Sequence, residues 1–283
     1  MIKVNGKEIE FTKFPNGETN MNHMSFPIIS FSYETVIDFK YEEDGDLIKL
    51  MFVKRYLDTV YSNHKNVDLR IWQMMYQRMD RSENSSPFTL KYVSEFINSL
   101  GFNRVEIVEP HSNVTPALIN NSHSNYINFD LIYKVIEEIY FDREKDYIMF
   151  PDNGAANRYK NMKFKNVLIG HKDRDFVTGE IKKLDLVGDI FNAEGRKVLI
   201  VDDLSSYGGT FIHSSKALRA VGFEEVNLLV AHAENSIFKG ELFVHIDKVF
   251  TTDSMLTEQN NWENVIFKER MKIYSLEDIL NGN

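Results

Sequence analysis

Short apolar runs alternate along the chain with segments whose apolar residues recur at helical spacing. The apolar runs predict β-strands at residues 36–39, 69–72, 105–108, 147–150, 167–169, 198–201 and 226–230. The helically spaced segments predict helices at residues 47–61, 88–100, 128–140 and 211–221. Strands that alternate with helices in this way are typical of α/β architecture.

The length and one polar segment indicate how the chain is divided. A chain of 283 residues fits two α/β domains of medium size or one large one. Residues 120–125 read Asn-Asn-Ser-His-Ser-Asn, a polar run typical of a loop. We therefore predict a domain boundary there, between an N-terminal domain of residues 1–124 and a C-terminal domain of residues 125–283.

Composition and charge exclude several classes of protein. The chain has no cysteine, which excludes disulfides and thiolate metal sites, so any metal must bind oxygen or imidazole. The net charge of -9 argues against general nucleic-acid binding. The first residues contain no apolar signal core, and no apolar run has the length of a membrane span. We therefore expect a cytoplasmic protein without nucleic-acid or membrane partners.

The most informative segment runs from residue 198 to residue 210. An apolar run, predicted to be a central parallel strand, is followed by two acids, a turn of small residues and a helix. Carboxylates only accept hydrogen bonds and suit the vicinal hydroxyls of a ribose. Adjacent glycines and a helix N-terminus let backbone N–H groups surround a phosphate. The alternative is a turn with an acidic helix cap, but the spacing favours a ribose-phosphate site. Its predicted residues are Asp202, Asp203, Ser205, Ser206, Tyr207, Gly208, Gly209 and Thr210.

This segment resembles the phosphoribosyl-diphosphate motif shared by phosphoribosyltransferases and ribose-phosphate pyrophosphokinases, and by itself it does not distinguish them. Further segments, in the same order along the chain, are similar to the pyrophosphokinases. They are residues 14–18 (Phe-Pro-Asn-Gly-Glu), 76–81 (Tyr-Gln-Arg-Met-Asp-Arg), 109–112 (Glu-Pro-His-Ser), 151–155 (Pro-Asp-Asn-Gly-Ala) and 171–175 (His-Lys-Asp-Arg-Asp). Each alone fits an ordinary turn or a solvated charged loop. Their shared order favours the kinase family.

The resemblance implies a role for each of these segments. In the family, the first loop reaches across a subunit interface to the adenine of ATP, which implies a homo-oligomer. Arginine suits phosphate because its planar fork donates two hydrogen bonds. Cations on a flexible loop that closes over a transferring phosphoryl group stabilise the transition state. The implied residues are Phe14, Asn16, Glu18, Arg78, Asp80 and Arg81 for ATP, His111 and Asp152 for Mg²⁺, and Lys172 and Arg174 for catalysis.

The same resemblance implies a fold and a reaction. We expect an α/β protein with two phosphoribosyltransferase-like domains, each a mostly parallel sheet flanked by helices. The N-terminal domain would bind ATP and the C-terminal domain the ribose phosphate. With Mg²⁺, the enzyme would transfer the β,γ-diphosphate of ATP to the anomeric hydroxyl of a ribose 5-phosphate unit and release AMP. A phosphoribosyltransferase and a non-catalytic, regulatory homologue are the alternatives.

Two residues depart from the family's phosphate turn, which usually reads Asp-Thr-Ala/Gly-Gly-Thr. Ser206 replaces the acid, and Tyr207 replaces a hydroxyl that normally contacts the 5-phosphate. A tyrosine there fits a pocket for a group attached to that phosphate, as in ADP-ribose, the acceptor implied by a resemblance to phage-type relatives in NAD⁺-rebuilding pathways. It equally fits ordinary variation in a loop. Ribose 5-phosphate and ADP-ribose therefore both stand as candidate acceptors.

Overall fold

The chain is organised as two compact units, Met1–Tyr126 and Ile127–Asn283. The structure, a computed structural model, describes residues 1–28, 34–60, 66–82, 85–174, 181–257, 267 and 269–282, with only the backbone for residues 172–174 and 181–183. Each unit has its own sheet of mostly parallel strands with helices between them, which confirms the predicted α/β class. None of the helices within these ranges is long and apolar enough for a membrane span.

The first unit is built on a six-stranded sheet. Its elements are β1 (Ile2–Val4), β2 (Lys7–Glu8), β3 (Phe11–Lys13), β4 (Thr19–Met21), β5 (Thr35–Phe39), α1 (Gly45–Val60), β6 (Val67–Ile71), α2 (Thr89–Ser99), β7 (Val105–Val108), α3 (Val114–Leu118) and β8 (Ser122–Asn125). The strand order is β2-β1-β5-β6-β7-β8, with β5 to β8 parallel. Strands β3 and β4 form a separate antiparallel hairpin. In β5 and β6 every second residue is buried, because successive side chains face opposite sides of the sheet.

The second unit is built on a seven-stranded sheet. Its elements are α4 (Asn128–Glu138), β9 (Tyr147–Phe150), α5 (Asn153–Tyr159), β10 (Val167–Arg174), β11 (Ile181–Val187), β12 (Lys197–Ser205), α6 (Gly209–Ala220), β13 (Glu225–Ala233), α7 (Leu242–His245), β14 (Lys248–Thr252), β15 (Met271–Tyr274) and α8 (Leu276–Leu280). The strand order is β11-β10-β9-β12-β13-β14-β15; the β10–β11 pair is antiparallel and the other neighbouring strands of this order pair in parallel. All four residues of β9 are buried, as expected of a strand covered on both faces.

The predicted strands and helices all correspond to elements of the structure, but the prediction for residues 120–125 is wrong. This polar run was expected to be a loop, and it contains strand β8. Strand β8 pairs in parallel with β7 along its whole length. It lies at the edge of the sheet, where backbone pairing suffices and side chains need not be apolar.

Two further sequence predictions need correction in the second unit. The segment with Lys172 and Arg174, expected to be a flexible loop, lies at the end of β10, where Lys172 pairs with Leu184 of β11. The central strand does not end before Asp202, because β12 continues its pairing with β13 as far as Ser205. The two acids therefore have the rigid backbone of a strand.

Candidate active site

Carboxylates gather at the carboxyl edge of the seven-stranded sheet. Asp202 and Asp203 lie near the end of β12, and Asp152 follows β9, the neighbouring strand. In open α/β sheets this is the edge at which ligands bind. Burial raises the pKa of Asp202 well above its ordinary value, and the charges of Asp203 and Asp152 raise it further. Such an edge favours a ligand that brings hydroxyl donors or positive charge.

The predicted phosphate-binding residues lie in the turn that connects β12 directly to α6 and at the start of that helix. The carbonyl of Gly208 accepts hydrogen bonds from the amides of Phe211 and Ile212, each at 2.9 Å. Within the described residues, the amides of residues 207–210 donate to no acceptor, and no side chain caps the helix. Free amides at a helix N-terminus form a site for an anion.

The shape of this turn depends on Gly208. Its φ of 81° is strained for any residue with a side chain, and an added Cβ would lie 2.7 Å from Leu242 Cδ1. The carbonyl oxygen of the preceding residue, Tyr207, packs closely on Gly240: a Cβ added to Gly240 would lie 2.9 Å from that oxygen. The Tyr207 side chain itself is 57% exposed. Packing thus fixes the backbone of the turn, while the tyrosine ring stays open to a ligand.

Two residues just beyond β13, Glu234 and Ser236, support the turn, and no sequence motif predicted them. Ser206 Oγ lies 3.0 Å from Ser236 Oγ, and Ser236 donates a hydrogen bond to Glu234 Oε2 at 3.1 Å. The Glu234 amide donates to the carbonyl of Ser205 at 2.9 Å. Ser236 follows Ser206 by 30 residues, so no local motif connects them. The pairing of β12 with β13 brings them together.

The carboxyl edge of the sheet in the first unit brings two other predicted segments together. Ser112 Oγ donates to Asp80 Oδ2 at 2.7 Å, and Arg81 Nε donates to Asp80 Oδ1 at 3.1 Å. The His111 amide donates to Gln77 Oε1 at 3.0 Å. Burial opposes the ionisation of Asp80, but the hydrogen bonds from Ser112 and Arg81 outweigh it and lower its pKa. Asp80 is thus a buried carboxylate that joins the segment after β6 to the segment after β7.

A tyrosine pair anchors the start of the segment after β6, and the sequence analysis did not identify it. The hydroxyl of Tyr41 donates to Asp44 Oδ1 at 2.5 Å, and the hydroxyl of Tyr76 donates to the same oxygen. Tyr76 has a φ of 59°, which is uncommon for a bulky residue and needs such support. The exposed Arg78 follows Tyr76 by two residues.

The remaining predicted residues lie in other elements. Phe14, Asn16 and Glu18 belong to the exposed turn of the β3–β4 hairpin, where Asn16 Oδ1 accepts the Glu18 amide at 3.1 Å. In the part of the chain that the structure describes, these three residues form no hydrogen bond with the cluster around Asp80. Lys172 and Arg174 have a described backbone in β10, but their side chains lie outside the described part of the structure.

Comparison with known proteins finds curated relatives of one enzyme class, although no family model matches the chain. The ribose-phosphate pyrophosphokinase of Saccharolobus solfataricus is 25% identical over 232 residues, covering 80% of this chain and 76% of that protein. The enzyme of the same name from Sulfolobus acidocaldarius is 25% identical over 245 residues, covering 82% and 77%. The chain is thus a homologue of curated ribose-phosphate pyrophosphokinases. It is therefore an enzyme of the pyrophosphokinase class.

A solved structure has the same fold as this pyrophosphokinase homologue. The crystal structure of phosphoribosylpyrophosphate synthetase from Mycobacterium smegmatis superposes with a TM-score of 0.74 over 98% of this chain and 88% of that one. The two sequences are only 16% identical, so this similarity concerns the fold. It confirms the two-domain α/β architecture expected from the resemblance.

The family implies a Mg²⁺ ion, and the carboxylates beside β12 suit one. Among the described residues, no group of three or more histidine, aspartate or glutamate side chains is arranged to hold a metal by itself. His111 belongs to the first unit and Asp152 to the second, where Asp152 Oδ1 caps α5 by accepting the Ala155 amide at 3.0 Å. Mg²⁺ usually binds one or two carboxylates together with substrate phosphates and water. The surplus negative charge that raises the pKa of Asp202 fits a Mg²⁺ ion that arrives with a nucleotide.

Replacing Ser112 with Ala is expected to destabilise the pyrophosphokinase homologue by about 1–2 kcal/mol at neutral pH, because the buried Asp80 carboxylate loses a hydrogen bond. The low pKa of Asp80 contributes stability that is present above the pKa of the unfolded chain and lost as pH falls through the folded pKa. The defect should therefore shrink on acidification. Urea denaturation at several pH values measures it. Ser99→Ala, an exposed serine bonded to the Phe96 carbonyl, is the control, and an equal loss in both variants would contradict this role.

Proposed function

We propose that the chain transfers the β,γ-diphosphate of ATP to the anomeric hydroxyl of a ribose 5-phosphate unit and releases AMP. The observation that carries the proposal is the turn between β12 and α6. Amides without acceptors at a helix N-terminus directly follow the carboxylates of Asp202 and Asp203. A phosphate group and vicinal hydroxyls are the two recognisable features of a ribose phosphate, and this segment offers a complementary site for each.

The acceptor would bind along this segment. Its phosphate would receive hydrogen bonds from the amides of residues 207–210 and from the hydroxyl of Thr210. Its ribose hydroxyls would donate to Asp202 and Asp203. Hydroxyl donors favour the ionised form of a carboxyl, so they would counter the burial and like charges that raise the pKa of Asp202. Sugar binding is thus favoured because the hydroxyl donors offset the repulsion among the carboxylates of Asp202, Asp203 and Asp152.

The transfer itself requires positioning and charge stabilisation more than covalent chemistry. The anomeric oxygen forms a bond to the β-phosphorus while the bond from that phosphorus to the α,β-bridging oxygen breaks. AMP leaves with the bridging oxygen, and the hydroxyl proton passes to water. Lys172 and Arg174 would stabilise the charge on the transferring group, and Mg²⁺, when bound, neutralises charge on the phosphate oxygens.

On the donor side, the hydrogen-bonded cluster around Asp80 supports ATP binding in the first unit. Arg78 and Arg81 are exposed, and Arg81 is oriented by its hydrogen bond to the buried Asp80. An arginine held in this way has a fixed orientation of its planar guanidinium, which suits the phosphates of ATP. We propose that these arginines bind the phosphates and that Asp80 acts through them.

Two acceptors fit this site, ribose 5-phosphate and ADP-ribose. The free amides of the turn suit the phosphate of either. The exposed Tyr207 ring beside the turn supports ADP-ribose, because an aromatic face at the phosphate gives an attached group a surface on which to pack. The exposed hairpin turn of Phe14, Asn16 and Glu18 supports a homo-oligomer in which this turn completes the ATP site of a second copy.

In the deciding experiment, the purified protein is incubated with ATP, Mg²⁺ and either ribose 5-phosphate or ADP-ribose. The amount of AMP released and the mass of the product are then measured. We expect AMP in equal amount to an acceptor that has gained a diphosphate, and the acceptor that reacts identifies the substrate. Sedimentation of the active sample gives the oligomeric state. A phosphoribosyltransferase, which uses a similar turn, would release no AMP from ATP without an added base. No AMP with either acceptor would leave the regulatory homologue as the better explanation.

A further inference from the structure

The hydroxyl of Ser206 is part of a hydrogen-bond chain that ends at a carboxylate. Ser206 Oγ lies 3.0 Å from Ser236 Oγ, and Ser236 Oγ donates to Glu234 Oε2 at 3.1 Å. All three side chains are partly buried, at the end of β12 and just beyond β13. The 2.9 Å bond from the Glu234 amide to the Ser205 carbonyl holds the two segments at this distance. The chain of contacts is therefore fixed by backbone as well as by side chains.

The directions of these hydrogen bonds follow from counting protons. A hydroxyl has one proton to donate, and a carboxylate has none. Ser236 gives its proton to Glu234, so in its contact with Ser206 it can only accept. Ser206 must then donate its own proton to Ser236. Both lone pairs of Ser206 Oγ are left to accept hydrogen bonds, and the hydroxyl has no proton for a phosphate oxygen.

We propose that Glu234 and Ser236 are positioning residues that make Ser206 a pure hydrogen-bond acceptor, which binds a hydroxyl of the sugar-phosphate substrate. This inference rests on the function proposed above. The family's turn carries an acid at this position, and an acid also accepts without donating. We call the hydrogen-bond chain from Ser206 through Ser236 to Glu234 the relay. It makes residue 206 a hydrogen-bond acceptor, as the acid at this position is in the family. The phosphate is bound by backbone amides and Thr210, while Ser206 recognises a hydroxyl.

The test compares the affinity of ribose 5-phosphate and of ADP-ribose, measured by calorimetry, in the wild type and in relay variants. Ser236→Ala removes the acceptor for the Ser206 proton, and Glu234→Gln offers an amide donor that lets Ser236 reverse. Each is expected to weaken binding of the reactive acceptor about fivefold, the value of one hydrogen bond, with the KM for ATP unchanged. A merely structural role would instead lower the melting temperature.

A double-substitution cycle separates the relay from other effects of Glu234. Ser206→Asp supplies an acceptor that needs no relay, so Glu234→Gln should cost no affinity in that background. Glu241→Gln is the matched control: it makes the same chemical change nearby, at an exposed glutamate whose Oε2 lies 4.0 Å from His245 Nε2. We expect it to bind like the wild type.

Each outcome has a distinct meaning. Wild-type affinity in Glu234→Gln and Ser236→Ala would overturn the relay, as would an equal loss with and without Ser206→Asp. A wild type that binds an acceptor but releases no AMP would overturn the proposed reaction and leave the relay standing. A wild type that binds neither acceptor would overturn both.

Discussion

Replacing Asp202 with Asn is expected to raise the melting temperature at neutral and alkaline pH while weakening acceptor binding. Asn has nearly the same shape as Asp. Its amide oxygen can accept the hydrogen bond that the Asp203 N–H donates to Asp202 Oδ1 at 2.9 Å in the wild type. The substitution removes a partly buried charge beside Asp203 and Asp152. Stabilisation of about 0.5–2 kcal/mol is typical when such a conflict at a functional site is removed. Binding of the sugar hydroxyls should weaken about 10- to 100-fold, because a charged acceptor is lost.

The pH dependence of this effect follows from the direction of the pKa change. Burial and the charges of Asp203 and Asp152 raise the pKa of Asp202 in the folded protein above the value of about 3.9 in an unfolded chain. Between those two values the folded state holds a proton that the unfolded chain has released, so this group's contribution to stability falls as pH rises. The gain in melting temperature of Asp202→Asn should therefore be small near pH 4 and increase with pH.

Thermal denaturation from acid to mildly alkaline pH measures this effect, and calorimetry with ribose 5-phosphate and ADP-ribose measures the loss of binding. Asp189→Asn provides the control, since Asp189 is an exposed aspartate of the same unit and the substitution changes the net charge equally. A melting temperature that falls in Asp202→Asn, with no dependence on pH, would mean that the carboxylate stabilises the fold. Its charge would then not be in conflict with its surroundings.

Replacing Lys172 with Ala is expected to lower kcat about 10²–10³-fold with a smaller change in the KM values for ATP and acceptor. The reason is that a cation near a transferring phosphoryl group interacts with charge that develops in the transition state. The backbone of Lys172 lies in β10, beside β9, whose carboxyl end leads to Asp152. Steady-state AMP release with the reactive acceptor provides the measurement.

Matched variants make the Lys172 result interpretable. Lys165→Ala removes an exposed lysine just before the same strand, one that pairs with Glu144 at 2.6 Å, and should leave kcat unchanged. Lys172→Arg keeps the charge and should retain more activity than Lys172→Ala. Turnover of Lys172→Ala at the wild-type rate would remove this residue from the mechanism. Equal losses in Lys172→Ala and Lys165→Ala would point to a general effect of surface charge.

The agreement between sequence and structure is best where a signal is local and strong. Residues 198–201 and 147–150 are continuous apolar runs, and both form central parallel strands because only apolar side chains can be covered on both faces. The polar residues 122–125 were predicted to be a loop but form an edge strand, because backbone pairing alone defines such a strand. The small strands β1 to β4 were also missed, because two or three residues are too few for a periodic pattern.

The sequence by itself determined the candidate phosphate site. An apolar strand, two acids, a pair of glycines and a helix are consecutive in the chain, and the free amides of such a turn are a property of the local backbone. Its glycine requirement is likewise local, since Gly208 has a positive φ.

Only the tertiary structure decided how the site is supported and charged. The bonds from Ser112 to Asp80 and between Ser236 and Ser206 join residues separated by 32 and 30 positions. The raised pKa of Asp202 depends in part on Asp152, which follows a different strand. Periodicity reveals which residues are strands but not which strands are neighbours. Because contacts at the carboxyl edge depend on strand order, they exist only once the sheet has formed.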